Sequence, residues 1–283
     1  MEQHHTIHAI RQSVGKARSN GSTVGVVPTM GNLHEGHLSL IDRALSMTDF
    51  VVCTLFVNPM QFGAGEDLDN YPRTLDQDRE RLQQHGCHCL FAPPASEVYP
   101  EGLQSHTTVT VPALSERHCG AGRPGHFDGV ATVVTKLFNI VQPDVAIFGQ
   151  KDYQQLQVIR KLTRDLCLPV TISSAPTLRE PNGLAMSSRN GYLSQEQKDR
   201  AAVLYRSLQQ SATRIGEESA VDFPAIESTA MEQIREAGLE PEYVAVCDAT
   251  TLQPATAESR ELVILTAARI GSTRLIDNIT LVR

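Results

Sequence analysis

The sequence lacks the features of membrane, secreted and nucleic-acid-binding proteins. No apolar run approaches the ~20 residues that a helix needs to cross a bilayer. The first residues, Met1-Glu-Gln-His-His5, have no basic stretch followed by an apolar one, so we expect no secretory signal and a cytoplasmic location. Acidic residues outnumber basic ones, 32 against 25, for a net charge of −7. We therefore expect no membrane and no nucleic-acid partner, although a local basic pocket for a nucleotide stays possible.

The cysteines do not have the spacing of a zinc site. The six of them are scattered along the chain, and in a reducing compartment we expect them to be thiols. The densest cluster is His85-Gly-Cys87-His88-Cys89. The spacing fits no usual zinc pattern. On a strand, moreover, Cys87 and Cys89 would point to one face of the sheet and His88 to the other. We interpret the cluster as the end of a helix followed by a buried strand.

Strand and helix patterns alternate through the first part of the chain. The 283 residues, 41% of them hydrophobic, can bury the core of one large domain or of two modest ones. There are no internal repeats. The alternation predicts an α/β fold, a parallel sheet with helices on both faces. The predicted strands are 23–27, 50–57, 89–92, 107–111, 143–148 and 170–173, and the predicted helices are 7–19, 34–47, 74–85, 129–141 and 152–166.

The pattern changes after Pro176, where strands no longer alternate with helices. Helices are predicted at 195–215 and 223–237, followed by strands at 243–247, 261–268 and 274–282. We predict a catalytic domain over 1–175 and a small α+β lid domain over 176–283.

One stretch, from Val24 to His37, combines a strand, a turn and the start of a helix. Its β-branched run stops at Pro28, and Gly31 and Asn32 allow a tight turn near a ligand. His34 and His37 then lie three residues apart in the first helical turn, where unpaired N–H groups and the helix dipole attract phosphate. Taken alone, two histidines at a helix start are equally compatible with an ordinary polar turn.

The other motifs also follow predicted strands or lie in nearby loops. The segment Asn58-Pro-Met-Gln61-Phe-Gly63 offers amides for a small hydroxy acid, but alone it favours a plain strand-ending turn. Lys151 can meet a phosphate as a point charge, and Asp152 can cap a helix or accept from ribose. Two hydroxyls and a guanidinium follow one another at Ser187, Ser188 and Arg189. They suit a triphosphate, so we favour a phosphate-binding loop over a Ser-rich linker. Ligands of parallel sheets bind at the carboxyl ends of the strands, so these motifs predict one site.

The glycine-rich stretch Gly120-Ala-Gly-Arg-Pro-Gly125 has the spacing of a dinucleotide fingerprint. Its context is wrong, because the residues before it do not form a strand pattern and Pro124 interrupts the loop. We reject that interpretation.

Together these motifs resemble the pantothenate synthetase (pantoate–β-alanine ligase) family. The segment Pro28-Thr-Met-Gly-Asn-Leu-His-Glu-Gly-His37 is similar to its signature, which contains the His-x-Gly-His (HxGH) box of nucleotidylyltransferases and class I aminoacyl-tRNA synthetases. The resemblance runs from about residue 7 to 282 and includes five separate motifs in the order in which the family has them. The resemblance implies a Rossmann-like fold and ATP-dependent condensation of (R)-pantoate with β-alanine through a pantoyl-adenylate. AMP and pyrophosphate are released, in pantothenate biosynthesis. It also implies Mg²⁺ and a homodimer.

The resemblance also implies roles for individual residues. Gln61 would bind both pantoate and β-alanine, and Gln155 would bind pantoate. Asn58, Arg123 and His126 are secondary candidates. Mg²⁺ would be held mainly by the ATP phosphates, without assigned protein ligands. The catalytic residues would be His34, His37, Lys151 and Arg189. ATP would be bound by Met30, Gly31, Asn32, Leu33, His34, Glu35, Gly36, His37, Gly149, Gln150, Lys151, Asp152, Leu178, Met186, Ser187, Ser188 and Arg189.

Two residues on the predicted helix 74–85 remain open. Thr74 is a plausible N-cap. Asp78 could help to organise Mg²⁺, but on so charged a helix we favour a solvated position.

One departure and three alternatives also stay open. Gln150 stands where the family usually has Glu. His37 is either a proton donor or a hydrogen-bond donor to phosphate. The enzyme alternative is a nucleotidylyltransferase that leaves AMP on its product, which the match at 58–63 and 186–190 disfavours. A degenerate nucleotide-binding module is disfavoured because His34, His37, Lys151 and Arg189 are all present.

Overall fold

The structure, a computed structural model, describes residues 1–63, 65–218 and 220–283. Within them the chain forms two compact units. The first contains Met1–Glu116, Gly120–Gln150 and Val158–Pro176, and the second contains Arg117–Cys119, Lys151–Gln157 and Thr177–Arg283. Two short stretches before residue 176 therefore belong to the second unit, which no sequence pattern indicates.

The first unit is built on a six-stranded parallel sheet. The strands are β1 (Glu2–His4), β2 (Val24–Thr29), β3 (Phe50–Leu55), β4 (Cys89–Phe91), β5 (Val145–Gly149) and β6 (Thr171–Ala175). They lie in the order β1-β4-β3-β2-β5-β6. The chain moves from β2 to one side of the sheet and later returns to the other side at β5. The carboxyl ends of β2 and β5 therefore flank the point where the strand order reverses, which is where ligands bind in such sheets.

Helices connect these strands. They are α1 (Ile7–Ser19), α2 (Glu35–Leu45), α3 (Leu75–Gln84), α4 (Ala95–Val98), α5 (His126–Val141) and α6 (Tyr153–Asp165), the last of which begins in the second unit. The predicted parallel α/β fold is confirmed. The histidine–cysteine cluster has the predicted local structure, because His85 is the C-cap residue of α3 and Cys89 opens β4.

A buried core fixes α2 on the sheet. Leu40, Ile41 and Ala44 of this helix pack in one cluster with Val27 and Ile147 of the strands. Each fully buried Leu or Ile contributes roughly 1.5–3 kcal/mol. The turn between β2 and α2 is therefore anchored at both of its ends.

Three features of the first unit differ from the sequence prediction. The short elements β1 and α4 were not predicted. The predicted strand 107–111 is wrong, because this segment is irregular. Its Val109 amide donates to the Thr132 hydroxyl of α5 (2.9 Å) instead of to a neighbouring strand, and Pro112 follows directly.

The described residues of the second unit form three α-helices and an antiparallel sheet after residue 190. Its helices are α7 (Gln195–Ala201), α8 (Val203–Glu217) and α9 (Phe223–Glu236), and its strands are β7 (Glu240–Asp248), β8 (Glu261–Ile270) and β9 (Thr273–Val282), in sequential order. The single helix predicted at 195–215 is wrong. Ala202 has a ψ of −13°, well short of the helical value of about −42°, so the chain bends between α7 and α8.

All six cysteines are free, and only Cys167 is exposed. Burial raises the pKa of Cys87 to about 11, so that thiol is protonated at neutral pH. Across the described residues, no helix combines the length and the apolar character needed to cross a membrane.

Candidate active site

The two histidines of the turn after β2 cap helix α2 reciprocally. His34 is the N-cap residue, and its Nδ1 accepts a hydrogen bond from the Gly36 amide (3.1 Å). His37 lies at the third helical position, and its Nδ1 accepts from the His34 amide (3.3 Å). This is the geometry of a capping box, with imidazole nitrogens in place of the usual Ser and Glu oxygens. The capping contacts therefore orient both rings.

The same contacts determine which nitrogen carries the ring proton. Because Nδ1 of each ring accepts from a backbone N–H, the neutral imidazoles of His34 and His37 hold their proton on Nε2. The ring centroids lie 4.1 Å apart. Two Nε2–H donors thus stand side by side at the positive end of the α2 dipole, an arrangement suited to an anion.

Helix α3 contacts this turn through Asp78. The prediction of a solvated Asp78 is wrong, because the residue is 1% exposed. Its carboxylate accepts hydrogen bonds from the Asn32 and Leu33 amides. A charged helix can bury one carboxylate when backbone N–H groups satisfy it. Thr74 is the N-cap residue of α3, as predicted, but its hydroxyl makes no capping bond and donates to Asp78 instead.

A buried amide network follows β3. Tyr99 donates from its hydroxyl to Asn58 Oδ1 (2.7 Å), and Asn58 Nδ2 donates to Gln61 Oε1 (3.1 Å). The Gln61 Nε2 group contacts the Met30 sulfur at 3.2 Å. Two backbone groups set the orientation of the Asn58 amide, because its Oδ1 accepts from the Met60 amide and its Nδ2 donates to the Gly129 carbonyl. Asn58 therefore turns its nitrogen toward Gln61, which must present its oxygen in return. Tyr99 was missed by the sequence analysis, and no local motif marks it.

Helix α5 needs a glycine to reach this network. Asn58 Nδ2 also donates to the Gly129 carbonyl (3.0 Å). A Cβ at Gly129 would lie 2.6 Å from the Met60 carbonyl carbon, far inside normal contact. The close approach of α5 to residues 58–61 therefore excludes any larger residue.

Arg123 and His126 lie beside Gln61. Arg123 makes a two-pronged ion pair with Glu66, with both N···O distances at 2.6 Å. His126 Nδ1 lies 2.7 Å from the Gln61 carbonyl oxygen. Burial raises the pKa of Glu66, but the hydrogen bonds and charge of Arg123 outweigh this effect and the pKa is lowered. The charge of Arg123 is therefore already matched by a carboxylate.

The end of β5 contributes to both units. Gly149 and Gln150 belong to the first unit, where Gln150 Nε2 donates to the Ser174 hydroxyl (3.3 Å). Lys151 and Asp152 belong to the second, with Nζ and Oδ1 3.8 Å apart. The Lys151 carbonyl accepts from Asn278 of β9 (2.8 Å), which holds the backbone while the side chain stays 19% exposed.

Helix α6 carries two adjacent glutamines with different surroundings. Gln155 is half-buried. Gln154 is buried and binds the Cys119 amide (3.1 Å) and the Arg117 carbonyl (2.7 Å). Gln154 thereby ties the stretch 117–119 to the second unit.

The segment from Leu178 to Arg189 folds back on itself. Met186 donates from its amide to the Leu178 carbonyl (2.9 Å), so these two predicted nucleotide-binding residues are neighbours. The Ser187 hydroxyl caps a short 3-10 helix, Ser188–Tyr192, by accepting from the Arg189 amide (3.3 Å).

Three residues that were given no role from the sequence hold this segment: Asn190 and Asp277 are buried, and Arg179 is half-buried. Asn190 donates to the Ala185 carbonyl (3.0 Å). Arg179 forms a two-pronged ion pair with Asp277, at 2.6 and 3.0 Å, and stacks on the Tyr205 ring. Only the position of Asn190 directly after Arg189 could have indicated a role from the sequence.

The structure thus brings the predicted residues together in two groups. In the first unit, the turn residues before α2 lie with His34 and His37, while Asn58, Arg123 and His126 lie beside Gln61. In the second unit, Lys151 lies with Asp152, and Leu178 lies with Met186 next to Ser187–Arg189.

Comparison with known proteins gives one consistent result. The family profile described as Pantoate-beta-alanine ligase matches residues 2–280. A pantothenate synthetase of Pseudomonas fluorescens is 58% identical, over 98% of this chain and 96% of the relative. The crystal structure of pantothenate synthetase from Thermus thermophilus matches with a TM-score of 0.92 at 44% identity, over 99% of both chains.

A third relative was solved with ligands. The crystal structure of pantoate-beta-alanine ligase from Francisella tularensis, complexed with beta-gamma ATP and beta-alanine, matches with a TM-score of 0.81 at 33% identity. The match covers 99% of this chain and 97% of that one. Agreement of profile, sequence and fold over nearly the whole length leaves one conclusion: the chain belongs to the pantoate–β-alanine ligase family.

Proposed function

We propose that this pantoate–β-alanine ligase works through two half-reactions. In the first, a carboxylate oxygen of (R)-pantoate attacks the α-phosphorus of ATP, the bond to the pyrophosphate oxygen breaks, and pantoyl-adenylate forms. In the second, the β-alanine amine attacks the adenylate carbonyl. The bond to the AMP oxygen then breaks and the nitrogen loses a proton, which leaves the amide of pantothenate. No protein nucleophile takes part, so positioning and electrostatic stabilisation supply the rate.

The observation that carries the proposal is the histidine capping box at the start of α2. Since Nδ1 of His34 and of His37 is occupied by a backbone amide, each ring directs a neutral Nε2–H donor away from its cap. These donors would stabilise negative charge that develops on the phosphates, helped by the dipole of α2. A hydrogen-bond donor role for His37 needs no proton transfer, and we favour it over that of a proton donor. Residues Met30–His37 would surround the nucleotide.

Gln61 would bind pantoate and the incoming β-alanine. Its amide is held by Asn58 and so offers fixed polar atoms without a charge of its own. Gln155 would bind pantoate from α6. Arg123 and His126 fit a supporting role better than direct phosphate binding, because Glu66 already pairs with Arg123.

The second unit would supply cationic and hydroxyl groups to the triphosphate. Lys151 offers a point charge, while the guanidinium of Arg189 can fork onto phosphate oxygens next to Ser187 and Ser188. Leu178 would contact adenine through its side chain and backbone. Gly149, Gln150 and Asp152 would also lie at the nucleotide. The division into a catalytic domain over 1–175 and a lid over 176–283 stays a prediction, and Lys151 belongs to the second unit although it precedes residue 176.

Magnesium enters this proposal as part of the substrate, MgATP. Asp78 does not fit a magnesium ligand, because both of its oxygens already accept backbone amides. Among the described residues, three possible metal ligands cluster at Glu2, His4 and Cys89, and a thiol does not suit this hard cation. We therefore assign no step to a protein-bound metal. A homodimer and a cytoplasmic location stay predictions.

Pyrophosphate release tests the proposal directly. The purified protein is mixed with ATP and Mg²⁺, with and without D-pantoate, before any β-alanine is present. We expect release that depends on pantoate, stops near stoichiometry with the protein, and resumes when β-alanine is added.

Two results would contradict it. Sustained release without pantoate would point to the nucleotidylyltransferase alternative. No release with any combination of substrates would point to a nucleotide-binding module without activity.

A further inference from the structure

Asp78 is buried in a helix whose composition predicts exposure. Its Oδ1 accepts from the Leu33 amide at 2.7 Å, and its Oδ2 accepts from the Asn32 amide at 2.9 Å. Thr74, which lies one helical turn before Asp78, donates from its hydroxyl to Oδ2 at 3.0 Å. With three donors, the carboxylate is satisfied without water, although it is 1% exposed.

Arg81, three residues further along α3, makes a second contact with the same turn. Its guanidinium donates to the Leu33 carbonyl. Leu33 is therefore held through its N–H by Asp78 and through its C=O by Arg81. Together these two residues attach the turn between β2 and α2 to one face of α3.

The turn has a backbone that needs such support. Gly31 and Asn32 both have positive φ, +87° and +51°, a conformation that costs free energy in a residue other than glycine, although Asn tolerates it better than most. The φ of Gly31 favours glycine, and a Cβ there would lie 3.2 Å from Asp78 Oδ2 and would push against the Leu55 side chain. Without a carboxylate at position 78, the Leu33 N–H would lose its partner in a buried environment.

We infer that Asp78 is a positioning residue for the nucleotide site: it holds residues 31–33 so that His34 begins α2 with both histidines in the capped arrangement. Asp78 itself contacts neither substrate nor metal. This inference rests on the proposed role of the His34–His37 turn in binding ATP.

The Asp78→Asn variant separates positioning from the alternatives. An amide keeps one acceptor but turns an NH₂ group toward a second N–H, so one backbone bond is lost with little change in shape. We expect the KM for ATP to rise about tenfold. The KM for β-alanine and the Mg²⁺ concentration for half-maximal rate should stay at wild-type values. Amide hydrogen exchange in the peptide that contains residues 29–34 should become faster.

Asp76→Asn is the matched control. It removes the same charge from the same helix at an exposed position, and we expect wild-type kinetics and exchange. If Asp78→Asn fails to fold, Arg81→Leu tests the other attachment, with the same selective rise in the KM for ATP expected.

Other outcomes would overturn the inference. An unchanged KM for ATP in a folded Asp78→Asn protein would show that the turn does not need the carboxylate. A shifted Mg²⁺ requirement would assign Asp78 to the metal, and an equal loss for all substrates would assign it to general stability. Pyrophosphate release by the wild type decides the proposed function separately, so the two failures are distinguishable.

Discussion

The turn before α2 and the segment from Met186 to Arg189 are both assigned to phosphate binding, but the chain builds them differently. The first is attached to a buried core on both sides and to α3, and its imidazoles are held by backbone amides. In the second, the backbone is anchored by Asn190, while the side chains of Ser187, Ser188 and Arg189 are half-buried.

This difference separates two ways of binding an anion. Donors at α2 are already oriented, so little ordering is needed when charge develops in the transition state. An arginine offers the phosphates of bound ATP a full charge and a fork of donors before the reaction begins, so its loss should weaken the binding of ATP itself. We expect losses at α2 to appear mainly in turnover and losses at Arg189 mainly in the KM for ATP.

The largest effect is expected for His37→Ala. Loss of one preorganised donor should lower turnover in the adenylate-forming step by roughly 10²–10³. Pantoate-dependent pyrophosphate release in single-turnover mode measures this step. Because His37 also caps α2, His37→Asn is a useful second variant, since its side-chain oxygen can replace Nδ1 as acceptor while the Nε2–H donor is lost.

Equal losses in the Ala and Asn variants would assign the effect to the donor. Recovery of turnover in His37→Asn would show that the cap, and not the donor, matters. His85→Ala, at the end of α3, is the control and should keep wild-type rates.

A smaller effect is expected for Arg189→Lys. Lysine keeps the charge but loses the fork onto phosphate oxygens, so the KM for ATP should rise about tenfold with a smaller change in turnover. Steady-state kinetics with varied ATP measure this split, with Arg206→Lys, at an exposed position of α8, as control. A fall in turnover without a change in KM would remove the contrast between the two regions.

Tyr99→Phe should have a weaker, selective effect. The variant keeps the ring beside Lys136 and removes only the hydroxyl that holds Asn58. With the Asn58–Gln61 link less constrained, the KM for β-alanine should rise about fivefold, and stability should fall by about 1 kcal/mol. Tyr205→Phe in the second unit is the control for phenol removal. If the KM for β-alanine stays at the wild-type value, Tyr99 is structural only.

The sequence predicted the fold and the motif positions because both depend on local patterns. Apolar runs that stop at Pro28 and Asn58 marked strands, and the spacing after His37 marked α2. The failures came from contacts distant in sequence. Asp78 looked solvated because a helical pattern does not reveal that backbone amides 45 residues away will meet its carboxylate.

Tyr99 and Arg179 of the candidate site could not be predicted from local patterns for the same reason. Both are separated from their partners, Asn58 and Asp277, by 41 and 98 residues. The strand prediction at 107–111 failed for a related reason. β-branched residues form a strand only where a neighbouring strand offers a free edge, and a local pattern does not show whether one does. Local chemistry therefore indicates which groups can bind a ligand, whereas the groups that orient them emerge from tertiary packing.

The smallest expected effect concerns the arginine that is already paired. Glu66→Gln should lower stability near pH 7 by about 1 kcal/mol, because the two-pronged pair with Arg123 is lost. Arg123 lowers the pKa of Glu66 below its ordinary value of 4.5, so the stabilisation is complete above that value and is lost as the pH falls through the folded-state pKa. Thermal unfolding of wild type and variant should therefore differ near neutral pH and converge in acid. A difference that persists in acid would mean that Glu66 stabilises the loop by packing and not by charge. A large loss of activity would mean that the Arg123–Glu66 pair positions the residues beside Gln61.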